Sequence, residues 1–205
     1  HTYNISDSLD AYKDLEKKDS LGILIKYPDK SLKNTKDTIE LENKGLKVKN
    51  DQGEIRIGLV GAGNFSSRTI IPALKKQKVH LDTILSSQGL NSYHQGKKFS
   101  FKKITTNEEA FWKNKDINTV FISSLHNLHA HQTLIAMKEE KHIFLEKPLC
   151  LNLLELEQIK ETYKKTFYKS GRLLIVDFNR RFSPLIKKAK KLLSSKKEPK
   201  TIIYT

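Results

Sequence analysis

Cysteine is nearly missing from this chain: Cys150 stands alone among 205 residues. A single thiol excludes an internal disulfide framework and any zinc cluster built on cysteine, and it suits a reducing, cytoplasmic setting. Long apolar runs are missing too. No uninterrupted stretch approaches the roughly 18 residues that a membrane-spanning helix needs, so no membrane partner is expected. Acidic residues are in short supply, 23 against 38 Lys plus Arg, which leaves a formal net charge of +15. Such an excess points to a polyanion only where the cations gather on one surface. The pairs Lys75-Lys76, Lys97-Lys98, Lys187-Lys188 and Lys190-Lys191 fall instead on separate presumed helix faces. No dedicated nucleic-acid site is therefore expected, and the phosphates of a dinucleotide already suit a positive field.

The chain opens on His1 rather than Met and stops within Thr201-Ile202-Ile203-Tyr204-Thr205, a β-prone run with no turn after it, so both ends read as cuts. Residues 1–30 form a small unit. Ser6-Asp7-Ser8 caps a short amphipathic helix carrying Leu9, Ala11, Tyr12 and Leu15, and Gly22 to Tyr27 reads as a strand ended by Pro28. One helix and one strand cannot enclose a core, so they are expected to finish something upstream. Residues 31–52 turn polar and read as a linker.

A regular alternation follows. Strands are predicted at 55–60, 80–86, 101–104, 118–123, 142–146 and 172–178, with helices at 65–77, 91–98, 107–112, 127–140 and 152–168 between them. Strands that alternate with helices imply crossover connections and a parallel sheet covered on both faces. Ile55-Arg56-Ile57-Gly58-Leu59-Val60 and Thr119-Val120-Phe121-Ile122 are mostly apolar, as burial on two sides requires. The expected fold class is α/β, a Rossmann-like doubly wound parallel sheet over 53–178, with residues 179–205 as the truncated start of an α+β second domain.

Directly after the first of these strands stands Gly61-Ala62-Gly63-Asn64-Phe65-Ser66, a Gly-x-Gly-x-x-Gly pattern with Ser in the last place. Gly61 permits the tight turn, Gly63 lets the backbone approach a pyrophosphate, and a small third residue lets helix and strand pack closely. N–H groups at the helix start, at Asn64 and Phe65, then meet the anion. Two glycines alone are weak grounds. Here they lie between a buried strand and a helix bearing Ile70, Ile71, Ala73 and Leu74, which is the context the mechanism demands. The next strand should end at the adenosine ribose, where a carboxylate favours NAD. It ends in Ser86-Ser87-Gln88 without Asp, Glu or Arg, so the choice between NAD and NADP stays open. Asp82, early in that strand, reads as structural.

Three more segments carry a family likeness: Ile122-Ser123-Ser124-Leu125-His126-Asn127-Leu128-His129, His142-Ile143-Phe144-Leu145-Glu146-Lys147-Pro148-Leu149 and Asp177-Phe178-Asn179-Arg180-Arg181-Phe182-Ser183-Pro184. With the glycine loop they resemble the Gfo/Idh/MocA oxidoreductases, the family of glucose-fructose oxidoreductase and inositol 2-dehydrogenase, over about residues 53 to 205. The resemblance implies hydride transfer between NAD or NADP and a sugar, sugar-nucleotide or cyclitol-like alcohol or carbonyl. It places Lys147 beside the nicotinamide and the reacting hydroxyl as the catalytic residue. A Lys amine there stabilises a developing alkoxide, and burial is expected to lower its pKa. The resemblance also implies that Glu146 touches the cofactor's sugar or orients Lys147, that Pro148 holds a cis peptide, and that Ser124, His126 and His129 lie along the nicotinamide. Asn179, Arg180 and Arg181 either touch substrate or pair across the domains.

His126, His129 and His131 crowd together, but their spacing is not His-Glu-x-x-His and no nearby carboxylate completes a facial set, so no metal is expected. The acid-base pair this family usually carries well into its second domain would fall beyond Thr205, as would the surface through which such enzymes assemble into homo-oligomers. Ser8 to Tyr12 and Lys18 to Pro28 further resemble the closing helix and strand of a medium-chain alcohol dehydrogenase. That order of modules resembles the two-module oxidoreductases of bacterial polysaccharide biosynthesis. The competing function class is a nucleotide-binding module that senses or binds without catalysis. A third, an anion-binding protein drawn to nucleic acid or acidic glycan, would bind with a steep salt dependence and ignore NAD(P)H.

Overall fold

The computed structural model describes residues 1–16, 22–27, 36–41, 53–77, 79–87, 89–194, 198–199 and 201. Most of the expected linker, part of the alcohol-dehydrogenase-like segment and all but the first residue of the closing β-prone run lie outside these residues. The chain divides into two compact units, His1–Lys36 and Asp37–Thr205. No described helix is long and apolar enough to cross a membrane.

In the first unit β1 (Thr2–Asn4) pairs in parallel with β2 (Leu24–Lys26), and α1 (Ser8–Glu16) forms the crossover between them. β1 was not foreseen, because three residues give no alternation to read. Ala11 is buried, whereas Leu9, Tyr12, Leu15 and Leu24 are exposed.

The second unit is built on a seven-stranded sheet: β3 (Thr38–Glu40), β4 (Arg56–Val60), β5 (His80–Leu85), β6 (Lys103–Thr105), β7 (Thr119–Ile122), β8 (His142–Glu146) and β9 (Leu174–Asp177). Its order is β3-β6-β5-β4-β7-β8-β9, parallel except for β3. Without β3 this is the doubly wound order whose strand direction of assembly reverses at β4, and ligands gather at the carboxyl ends beside that reversal. The expected α/β class therefore holds.

The β3 residues fall inside the stretch read as linker, which corrects that boundary. Three residues carry no readable period, but Thr38 and Thr105 hydroxyls meet at 2.7 Å and Leu41 buries itself beside the sheet. A Cβ on Gly96 would come within 2.6 Å of Leu41 Cδ1, so α3 (Gly89–Phe99) reaches this edge through a glycine.

Alternating side chains feed two cores, one per sheet face. Val60, Val120, Ile122, Ile143 and Leu145 pack with α4 (Glu108–Trp112), α5 (His129–Lys138) and α6 (Leu153–Thr162) through Phe111, Met137 and Ile159. Leu59, Ile84 and Ile104 pack on the other side with Ile71, Phe99 and Phe101. The helix after the glycine loop opens as a wide π turn, Ser66–Ile70, before α2 (Ile71–Lys75). Pro72 explains the widening. It has no N–H for the carbonyl four residues earlier, and the Ile71 N–H bonds instead to Ser66 O, five residues back. At the far end, the described part of residues 179–205 forms a 3-10 turn, Asn179–Phe182, and α7 (Pro184–Ser194), with no buried residue in either.

Candidate functional site: the carboxyl edge of the sheet

At the end of β4 the chain must turn sharply between two neighbours, and Gly61 does so at φ 91°. A Cβ there would stand 2.7 Å from the Ser123 carbonyl oxygen, so position and backbone both demand glycine. Gly63 differs. Nothing lies within 4 Å of where its Cβ would be, which leaves the backbone bare toward open space at the helix start. Asn64 and Phe65 follow it, both exposed.

Ser66, the residue in the third glycine's place, is completely buried, and its hydroxyl is put to use. It donates to Gly61 O at 2.9 Å and meets the Ser123 hydroxyl at 2.5 Å, while Ser123 lies 3.3 Å from the same carbonyl. Sequence reasoning treated Ser66 as merely small. It pins the glycine turn to the end of β7, and Ser123, which sequence reasoning gave no role, is its partner.

The sheet brings most of the other expected residues to the same edge. Ser86 and Ser87 follow β5, and the Ser86 N–H donates to Thr105 O at 3.1 Å. Ser124 follows β7 and its hydroxyl donates to Gln132 Oε1 at 2.5 Å. His126 is exposed. Asp82 is structural as expected: Thr83 Oγ1 donates to it at 2.6 Å and Asn114 Nδ2 at 3.2 Å.

His129 is a correction. Its ring is 0% exposed, with Nδ1 2.7 Å from Pro148 O and Nε2 3.2 Å from Ser124 O, so no ligand atom can reach it. It braces the loop after β7 against the turn after β8 instead of lining a cleft. No group of His, Cys, Asp or Glu that could hold a metal ion occurs among the described residues.

β8 ends at Glu146, Lys147 and Pro148 follow it, and the Lys147–Pro148 peptide is cis, as the resemblance implied. Lys147 is exposed, which corrects the expectation of a buried amine. Glu146 is half-buried, and its pKa is raised to about 7. Burial is the main cause, followed by the hydrogen bond and charge of Asp177, against a smaller opposing pull from Lys147. Asp177 is the functional candidate that sequence reasoning passed over. Its only signal is a pairing across strands. Asn179, Arg180 and Arg181 follow it on the exposed 3-10 turn, where the Arg181 guanidinium lies 4.7 Å over the Phe182 ring.

Can these residues hold a dinucleotide? The bare backbone at Gly63, the free edge of a helix start and a glycine turn locked by Ser66 and Ser123 fit a pyrophosphate. The strand ends from β5 to β8 line the path on either side.

Comparison with known proteins agrees with this geometry. The family model described as an oxidoreductase family with an NAD-binding Rossmann fold matches residues 55–177. Myo-inositol 2-dehydrogenase of Thermotoga maritima is 29% identical over 141 residues, 69% of this chain and 41% of that protein. An uncharacterized oxidoreductase, YrbE, of Bacillus subtilis is 28% identical over 144 residues, 69% of this chain and 40% of its own. The crystal structure of myo-inositol 2-dehydrogenase from Lactobacillus plantarum superposes with a TM-score of 0.64 at 22% identity, covering 69% of this chain and 41% of that one. The chain thus spans about two-fifths of these relatives. A strand order read from the register, a glycine turn fitted to phosphate, and a family match over more than half the residues converge: the chain belongs to the Gfo/Idh/MocA oxidoreductase family through its NAD(P)-binding Rossmann domain.

Proposed function

We propose that this domain binds a nicotinamide dinucleotide across the strand ends, and that the protein carrying it moves hydride between that cofactor and a secondary alcohol or carbonyl of a sugar or cyclitol. The observation that carries the reading is the contrast within the glycine loop: Gly61 is filled from behind by Ser123, whereas Gly63 faces open space at a helix start on the same sheet edge as Lys147. The cofactor, when bound, supplies the hydride acceptor or donor. Lys147 hydrogen-bonds the substrate oxygen and stabilises the charge that develops on it, and the amides from Gly63 to Phe65 orient the phosphates. Relatives named as myo-inositol 2-dehydrogenase and 1,5-anhydro-D-fructose reductase support the substrate class.

Fluorescence titration with NADH and NADPH tests the reading. Binding of at least one is expected, and Gly63→Asp, which sets a carboxylate against the pyrophosphate, should weaken it at least tenfold. Equal binding by the variant would remove the phosphate assignment. For residues 1–30 the proposal is the closing piece of a preceding dehydrogenase-like domain. It is supported by a two-stranded parallel sheet too small to bury Leu9, 78% exposed, or Leu24, 70% exposed.

A further inference from the structure

The sheet register sets two carboxyls side by side at the tip of β8 and β9. Glu146 and Asp177 are direct partners on adjacent parallel strands, so both side chains leave the sheet on one face. Like charges so placed repel, and one of the four oxygens, Glu146 Oε1, is shut from water and accepts no hydrogen bond from the described residues. Two carboxylates cannot bond to one another. One proton between them turns repulsion into a charge-assisted O–H···O contact.

Asn179 Nδ2 donates to Asp177 Oδ2 at 3.3 Å, whereas Glu146 Oε1 has no donor, so a shared proton is better placed on Glu146. The upward displacement of the Glu146 pKa agrees with that placement. The charged groups around the pair are few. Lys147 follows Glu146 in the chain and Arg180 and Arg181 follow Asp177. β7, on the other side of β8, carries no titratable side chain, and α5, with His129, His131 and Lys138, packs with Leu145 on the opposite face of the sheet.

We propose that Glu146 and Asp177 form a proton-sharing pair through which the site distinguishes the oxidised from the reduced nicotinamide, with Asp177 a positioning residue that acts through Glu146. The inference rests on the placement of the nicotinamide beside Lys147 in the proposed function. The oxidised ring carries a positive charge and the reduced ring does not. With its proton the pair holds one negative charge; once the proton has gone to solvent it holds two, and the oxidised ring gains the more. A second charge held several ångströms from the ring in a half-solvated site changes the preference by about tenfold. By linkage, the oxidised cofactor in turn expels the proton.

The test measures dissociation constants of NAD+, NADH, NADP+ and NADPH on this 205-residue chain at about pH 6 and about pH 8, with carboxyl carbon NMR of Glu146 alongside. Within the pair that binds, preference for the oxidised form should rise about tenfold across that range. It should stay flat in Asp177→Asn, whose amide donates to an ionised Glu146, and in Glu146→Gln. The NMR midpoint should lie near neutrality and fall into the ordinary carboxylate range in Asp177→Asn. A flat preference in the parent chain with cofactor bound, or a Glu146 midpoint unmoved by Asp177→Asn, overturns the proton-sharing pair and leaves the cofactor site standing. No binding by any of the four cofactors removes the proposed function itself.

Discussion

Lys141 and Lys147 stand at the two ends of β8 and have opposite circumstances. Lys141, before the strand, is 2% exposed and its Nζ donates to Asn114 O and Ile117 O, each at 2.9 Å. Burial lowers its pKa to about 8. Lys147, after the strand, is exposed at the edge where the glycine loop opens. A search for perturbed ionisable groups would select Lys141, since such groups cluster at active sites. The topology says otherwise. Parallel sheets gather ligands at their carboxyl ends, and Lys141 lies at the amino end, where a turn with Glu140 at φ 51° feeds the chain inward. A lysine with a shifted pKa can therefore be a brace, held here by two carbonyls.

The sharpest way to break this comparison is to remove each amine in turn. On the proposed function, Lys147→Met should lower the rate of NAD(P)H formation or consumption by about 10²- to 10⁴-fold, the usual reach of a positioned proton-transfer or charge-stabilising group. Stability should change by no more than about 0.5 kcal/mol, because the side chain is exposed. Turnover within threefold of the parent would return Lys147 to the bland status of a surface lysine.

Lys141→Met should do the reverse. Two carbonyls lose their donor in a place water cannot reach, at about 1–3 kcal/mol each, partly offset by the apolar replacement. A net loss of about 2–4 kcal/mol in urea denaturation is expected, with dinucleotide affinity unchanged. Weakened NADH binding without a loss of stability would mean that the amino end of the sheet communicates with the site.

The comparison also marks what could be read from residues alone. The alternation of apolar strands and helices was legible because its periods persist over many residues, and the glycine loop because its spacing has a mechanical reason. The cis turn was implied by family likeness. What escaped was decided by pairing: β1 and β3, too short for a period; Asp177, meaningful only opposite Glu146; and Ser66, whose hydroxyl acquires its role from Ser123. His129 misled for the same reason. A histidine beside a strand end reads as a ligand contact until the fold places a carbonyl against each ring nitrogen.

The smallest effect sharpens the comparison furthest, because it isolates the charge on Lys141 from its packing. The folded-state pKa of about 8 lies below the ordinary 10.5, so between those values the unfolded chain binds the proton that the folded chain has released. Stability should therefore rise with pH across that window and show no contribution from this group below it, by about 1–3 kcal/mol in all. Urea titrations at intervals across the window, run in parallel on the parent and Lys141→Met, separate this rise from that of every other lysine. The difference between the two curves should grow as pH increases. Parallel curves would mean that the ammonium keeps its proton throughout and is fully supported by the two carbonyls, in which case burial alone does not set its charge.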